Sequence, residues 1–482
     1  MKIAQFFLWK YFERSSVQVA QFVISVILAR LLEPNDFGIL AIVMVFIGFA
    51  NFFVKNGLVF SLVQKKETLD LDFSTMFWFL LLTAVVIYTI LFFIAPLIVI
   101  FYANEKLILI IRVLGLTVIF GALSSVQESY IQKKFLFKKL FFISLAVVVL
   151  SGFLGIYLAF FGFGIWALVW QQISSVFLMC VFMLFMISWK PSFYFSFVNA
   201  KKLLNFGYKV LISHLLDFVY INSINLLIGK FYSTTILGFY NMGEKFPQTV
   251  VGNVNDSIGA VIFPTLSNVQ DDIEQFKQIM RRGLLTSCFI LFPLMALLAS
   301  TAAQTVNFIL GEKWLPCVIF LQISCFIFSL WPIHTTNLTS MNSLGRSDMY
   351  LKVAIINKII GVSAIVIALI FFNTPLAIVL SQVIISLIGL FINTFPNKVF
   401  LNYGFLEQLK DILPAFVFSI FAGFSVYFLS LLSLPNLAVI ILQIILGTAI
   451  YLLLAKIFNL ESLYYFMDSL KNLTIKEQNK NY

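Results

Sequence analysis

The residues of this chain best equipped for chemistry sit inside sequence that otherwise reads as lipid-facing. The segment NMGEKFPQ, residues 241–248, sets Glu244 beside Lys245 within a long apolar run. At about 100° per residue, Asn241, Glu244, Lys245, Gln248, Gly252, Asn255, Asp256 and Gly259 all fall within an arc of about 120° on one helix. Amides and charges of both signs on one stripe can hydrogen-bond a polar ligand and offset its charge. An unpaired Lys or Asp at the bilayer centre costs about 2.5–3.5 kcal/mol, so the stripe is expected to face a hydrated cavity or a protein partner. Glu244 and Lys245 project about 100° apart and are not simply each other's ion pair. Pro247, which lacks a backbone N–H, is expected to bend the helix where the stripe is densest.

Two further stripes accompany it. His214, Asp217, Asn222 and Asn225 share an arc of about 140°, and Arg14, Gln18, Gln21 and Ser25 form a shorter one. Lys55, Arg112 and Lys358 add isolated cations. Together they outline a polar interior of mixed charge with more cations than anions. Single members could instead hydrogen-bond neighbouring helices, and Lys55 and Arg112 lie close enough to span ends to snorkel. His214 by itself reads as a hydrogen-bonded packing residue.

The elements that must position these groups follow from composition. Of the 482 residues, 61% are hydrophobic, 17% aromatic and 11% charged, and the mean hydropathy is +1.01. Soluble domains carry about 25% charged residues, so the chain is read as an all-α polytopic membrane protein. Runs of the length needed to cross about 30 Å of hydrocarbon recur about fourteen times, the first at 15–32, the seventh at 206–230, the eighth at 236–263 and the last at 436–457. They lack the two-residue alternation of barrel strands and are therefore helices. With both termini cytoplasmic, that side collects 23 Lys and Arg against four (Arg30, Lys106, Lys230 and Lys313) on the other. This bias sets the expected topology and accounts for most of the net charge of +11 without nucleic acid.

Nothing in the sequence makes a catalytic constellation. The two histidines are 120 residues apart, no HExxH or Gly-rich phosphate loop occurs, and the four cysteines have no paired spacing. Asp70 and Asp72 flank a cytoplasmic loop, and Asp271 and Asp272 adjoin on a connection where Ile273, Phe276, Ile279 and Met280 suggest an interfacial amphipathic elbow. A similar stripe, Leu463, Phe466, Leu470 and Leu473, suggests a tail lying on the cytoplasmic surface. No metal or cofactor is expected. A proton or sodium gradient is the candidate for coupling, with Asp217 and Glu244 as groups that could titrate.

The chain also repeats itself. A shift of 200 aligns Arg30 with Lys230, Gly38 with Gly238 and Phe46 with Phe246, so ARLLEPNDFG answers GKFYSTTILG. Six spans separate the copies, which makes the repeat parallel, an arrangement found in transporters. The expected division is a first lobe over residues 1–190, a second over 191–400, two further spans over 401–460 and an interfacial tail over 461–482.

The segments LARLLEPNDFGILA, LVQKKE, LLIGKFYSTTILGFYN running on to Lys245, Phe246 and Pro247, IFPTLSNVQDD and GEKWLP resemble the polysaccharide transporter family of the multidrug/oligosaccharidyl-lipid/polysaccharide superfamily. The likeness is to its colanic acid and teichuronic acid exporter branch, the Wzx-type flippases, and it runs over about residues 8–350. It implies two six-helix lobes in a V with two further helices. It also implies export of undecaprenyl-diphosphate-linked repeat units from the cytoplasmic leaflet of a bacterial inner membrane, alongside other glycan-assembly membrane proteins. Basic cavity residues would hold the diphosphate, and Arg14, Lys55 and Lys245 occupy such positions. A multidrug antiporter would share the fold, but a cavity for cationic drugs should be rich in carboxylates, whereas this interior leans cationic. A membrane enzyme acting on lipid-linked glycans is the other alternative.

Overall fold

The computed structural model describes residues 2–55, 62, 70–197, 215, 217–432 and 434–467. Among the described residues there is no strand. Among the described residues eleven helices are long and apolar enough to cross a membrane, against the expected fourteen. The three expected spans outside that set, the first, seventh and eighth, are helical wherever they are described. They are also the three that carry the polar stripes. The chain forms two compact units, residues 1–238 and 239–482.

The first unit contains α1 (Lys2–Leu31), α2 (Pro34–Lys55), α3 (Asp70–Tyr102), α4 (Lys106–Lys133), α5 (Phe137–Phe160), α6 (Ile165–Met186), α7 (residues 217–231) and the start of α8 (Thr234–Ser267). Helix α4 packs against α2, α3 and α6, while α5 joins α1 to α6. Small residues permit this closeness, as at Gly115, where an added Cβ would lie 2.9 Å from the Tyr88 ring of α3. The buried hydroxyls of α4 bond back to their own helix, Thr117 to Leu114 O at 2.6 Å and Ser125 to Ala122 O at 2.9 Å, so that these hydroxyls are paired within the apolar interior. Outward, α3 and α5 present Leu97, Ile100 and Phe153, each well exposed, as a lipid-facing surface demands.

Residues 217–237, expected in the second lobe, pack on α2 and α3. Phe218 meets Phe52 at 5.8 Å between ring centroids, and a Cβ at Gly229 would lie 2.9 Å from Ile42. The sequence repeat is visible here as a reciprocal contact. A Cβ on Gly38 would overlap the Thr234 carbonyl, and a Cβ on the equivalent Gly238 would overlap the carbonyl of Pro34, the position equivalent to Thr234. Only glycine lets the first turns of α2 and α8 approach so closely.

The second unit contains the rest of α8, α9 (Ile273–Ser300), α10 (Ala302–Ile309), a 3-10 turn (Glu312–Cys317), α11 (Val318–Ser329), α12 (Trp331–Ser343), α13 (Ser347–Phe371), α14 (Pro375–Leu401), α15 (Phe405–Tyr427), α16 (Asn436–Ile457) and α17 (residues 461–467). The expected interfacial elbow at residues 271–282 is instead the opening of α9. Asp272 caps it by accepting from Gln275 N at 3.0 Å, and Phe276 and Met280 are fully buried in a core with Leu266, Leu284, Cys288 and Tyr403. The apolar stripe there serves packing rather than a membrane surface. Between α12, α14 and α15, fully buried amides satisfy one another: Asn337 donates to Gln408 Oε1 at 2.9 Å, and Asn397 donates to Asn337 Oδ1 at 2.6 Å. Such a network fixes one helix register, because any slip would orphan several amides in lipid.

Arg281 gathers one end of this unit. Its guanidinium makes a bidentate pair with Asp411 on α15, both bonds at 2.8 Å, and holds Glu461 on α17 at 2.6 and 2.9 Å. Tyr403 donates to the same Asp411 at 2.7 Å. Leu463 and Phe466, expected on a surface tail, pack on Phe289, Ala422 and Tyr451, while Leu470 and Leu473 lie outside the described residues. Hydrogen bonds from Arg281 hold the Glu461 carboxyl below its ordinary value. The pair therefore contributes fully above the ordinary glutamate range near pH 4.3 and fades as pH falls through the lower folded value. Arg281→Leu is expected to destabilise the unit by about 1.5–3 kcal/mol and to expose residues after Leu460 to protease. Thermal unfolding and limited proteolysis in detergent check this, and unchanged behaviour would show that apolar packing alone docks α17.

Candidate functional site

Helix α8 is two-faced. On one side Tyr240, Met242, Phe246 and Val251 are buried. Gly243 makes this seat possible, since a Cβ there would come within 2.8 Å of Leu321 N and 2.9 Å of Cys317 O. Phe239 meets the buried Trp314 of the GEKWLP segment edge-on at 6.0 Å, and Tyr240 meets Phe320 likewise at 6.0 Å. On the other side Asn241, Glu244 and Lys245 are half-buried and Gln248 is exposed. Cβ atoms added to Gly252 and Gly259 would have no neighbour within 4 Å. Within the arc drawn from the sequence, Gln248, Gly252 and Gly259 thus mark the open part of the helix.

Individual members of the arc differ. Glu244 is hydrogen-bonded to Tyr240 one turn earlier. Asn255 donates to Thr335 Oγ1 on α12 at 2.8 Å and ties α8 to its own unit. Thr249 returns its hydroxyl to Lys245 O at 2.7 Å, and α8 runs on as helix through Pro247. Asp256 lies on the helix, but its side chain is outside the described residues.

The remaining candidates belong to the first unit. Arg14 and Gln21 are exposed on α1, and Gln18 and Ser25 are half-buried beside them. Below this stripe Ile24 seats on α5, 2.2 Å from where a Cβ on Gly152 would be. Asp217 and Asn225 are half-buried on α7, whereas Asn222 gives its amide to Phe218 O at 2.8 Å. His214 and the Lys55 side chain lie outside the described residues. The Arg112 guanidinium stacks over Phe92 at 4.0 Å.

One polar cluster escaped the sequence reading. His334 on α12 bonds Ser386 at 3.1 Å and Asn393 at 2.8 Å on α14, and Asn357 on α13 donates to Asn393 at 2.7 Å. Its signal was Asn393 and Asn397 at a spacing of four within an apolar run, a pair that points both amides at one neighbouring helix. Among the described residues no group of His, Cys, Asp and Glu could hold a metal ion.

Eleven helices long and apolar enough to cross a membrane among the described residues, with no strand, define the class as an all-helical multi-pass membrane protein. More narrowly, the chain belongs to the family described as polysaccharide biosynthesis protein, which matches residues 27–319. It is similar to the teichuronic acid biosynthesis protein TuaB of Bacillus subtilis (strain 168), with 26% identity over 310 residues, 62% of this chain and 63% of that one. It is also similar to the lipopolysaccharide biosynthesis protein WzxC of Escherichia coli (strain K12), with 24% identity over 344 residues, 71% of this chain and 70% of that one. The match thus spans a little under two thirds of the length of the first relative. The fold is shared with a solved structure of the lipid II flippase MurJ in an inward closed conformation, at a TM-score of 0.76 and 16% identity over 94% of this chain and 98% of that one. An inward-facing multidrug transporter of the MATE family shares it at a TM-score of 0.58 and 12% identity over 81% and 98%.

The two faces of α8 should answer differently to the same substitution. Gly243→Ala is expected to lower the unfolding temperature of the purified protein, because backbone atoms must move. Gly252→Ala is expected to hold or raise it, since alanine favours a helix interior by about 1 kcal/mol over glycine. Equal losses at both positions would mean that the Gly252 side is packed as well.

Proposed function

We propose that this chain is a flippase that exports polyprenyl-diphosphate-linked oligosaccharide units across a bacterial inner membrane, with both termini cytoplasmic. The observation that carries the reading is the polar stripe of α8, half-buried at Lys245 and open at Gln248 and Gly252, opposite a face packed by Gly243 and Phe246. Moving sugar hydroxyls through hydrocarbon without partners costs about 4–8 kcal/mol each, so spontaneous flipping of a glycan is negligible. A hydrated ribbon of Asn and Gln keeps the hydroxyls solvated while the polyprenyl chain remains in lipid. Lys245, with Arg14 and Lys55, would offset the diphosphate through charge-assisted hydrogen bonds. An inside-negative potential favours outward movement of an anion by about 2.3 kcal/mol per charge per 100 mV.

The mechanism fitting these parts is alternating access, in which the ribbon opens first to the cytoplasm and then outward. Similarity to proteins named for teichuronic acid, lipopolysaccharide and succinoglycan biosynthesis supports a glycan cargo. Coupling to a proton or sodium gradient, with Asp217 or Glu244 titrating, is part of the proposal. The MATE-like antiporter reading would instead require a site dominated by carboxylates, and the α8 ribbon pairs its Glu244 with Tyr240 and leaves Gln248 open.

Lys245→Ala is expected to abolish glycan export while membrane insertion stays normal, and Lys245→Arg is expected to retain part of it. Complementation of an export-deficient strain, with protein levels checked in membranes, measures this. Full export by Lys245→Ala would remove that residue from the site.

A further inference from the structure

A cavity of about 470 Å³ opens in the first unit between α2, α3 and α7, lined by Phe46, Leu97, Phe101, Tyr102, Leu227 and Lys230 among others. Its size falls within the range of small-molecule sites, yet its wall is almost wholly apolar and its rim is built of side chains that face lipid. Leu97, Phe101 and Phe231 are 64%, 54% and 58% exposed. Such a space in a membrane-spanning region is open to hydrocarbon chains and closed to sugars.

The rim carries one cation. Lys230 is the sole charged residue of the lining. Its ammonium sits over the Phe101 ring, 4.4 Å from the centroid, and donates to the Phe101 carbonyl. Tyr102 donates to Leu226 O at 3.2 Å and closes the cavity floor between α3 and α7. Lys230 is also one of four cations that the sequence assigns to the non-cytoplasmic side. An apolar cavity with a single ammonium at the ends of α3 and α7 matches a lipid in both chemistry and order: chain inward, phosphate at the rim.

We propose that this cavity binds a phospholipid with a monoanionic head, one chain lying against Leu97, Phe46 and Leu227 and the phosphodiester paired with Lys230. A single positive charge balances a phosphodiester. It would leave a polyprenyl diphosphate with surplus negative charge in a site of low dielectric, so the occupant is a lipid of the bilayer and not the cargo. The bound lipid fills the gap between α3 and α7 and sets how firmly the outer end of α7 is held.

The test uses the full-length protein in a zwitterionic detergent, with phosphatidylglycerol and phosphatidylcholine as probes, and reads lipid retention by native mass spectrometry and unfolding temperature. Wild type should retain phosphatidylglycerol over phosphatidylcholine and gain unfolding temperature with it. Lys230→Gln and the cavity-filling Leu227→Trp should each weaken retention at least tenfold, and Lys230→Arg should preserve it. The proposal is overturned if wild type does not discriminate the two lipids. It is equally overturned if Lys230→Gln retains phosphatidylglycerol like wild type, or if undecaprenyl diphosphate displaces phosphatidylglycerol at lower concentration. Retention is read without transport, so the outcome stands apart from whether the chain flips a glycan.

Discussion

The governing constraint is that a polar group inside a bilayer must find a partner or reach water. The structure meets it in two ways at its buried hydroxyls and amides. Hydroxyls on α4 bond back to their own helix, and amides on α12, α14 and α15 close a network among themselves. Along α8 neither solution covers the whole stripe. Gln248 remains exposed and the glycines at 252 and 259 have open space beside them. In the proposed flippase, water or a ligand that replaces it would complete that surface.

Rigid packing frames the open surface. Gly243 draws α8 against backbone atoms of α11, Trp314 and Phe320 grip the first turns, and Asn255 reaches Thr335. A ribbon seated this way keeps its side chains in register, as binding geometry requires. Farther along the second unit, Arg281 binds α15 and α17 to α9 through two carboxylates. The last helices are thereby fastened to the core of the unit at their polar ends as well as by apolar contact at Phe289 and Tyr451.

Much of this was legible in the residues. The helical class followed from runs too long and too apolar for anything else, and the arc on α8 was drawn from spacing alone because a helix fixes angular position. The shift of 200 between Gly38 and Gly238 is realised as two reciprocal close approaches. What spacing could not give was the identity of the neighbour. Phe276 and Met280 have the pattern of an interfacial stripe, and only tertiary packing decides that they are core. His334, Asn357 and Asn393 are far apart in sequence, so their cluster depends on which helices meet. Counting spans places residues 217–237 in the second lobe, and which helix they touch, here α2 through Phe218 and Gly229, is again settled by packing.

The most direct test of the hydrated ribbon is single-cysteine labelling along α8 with a membrane-impermeant, water-soluble maleimide. The four native cysteines are buried and give a low background. Cysteine at Gln248 or Gly252 should react in purified protein and in membranes, while cysteine at Met242 or Val251 should not. Unreactive Gln248 and Gly252 positions in both settings would contradict the account and make the polar arc a dry packing surface.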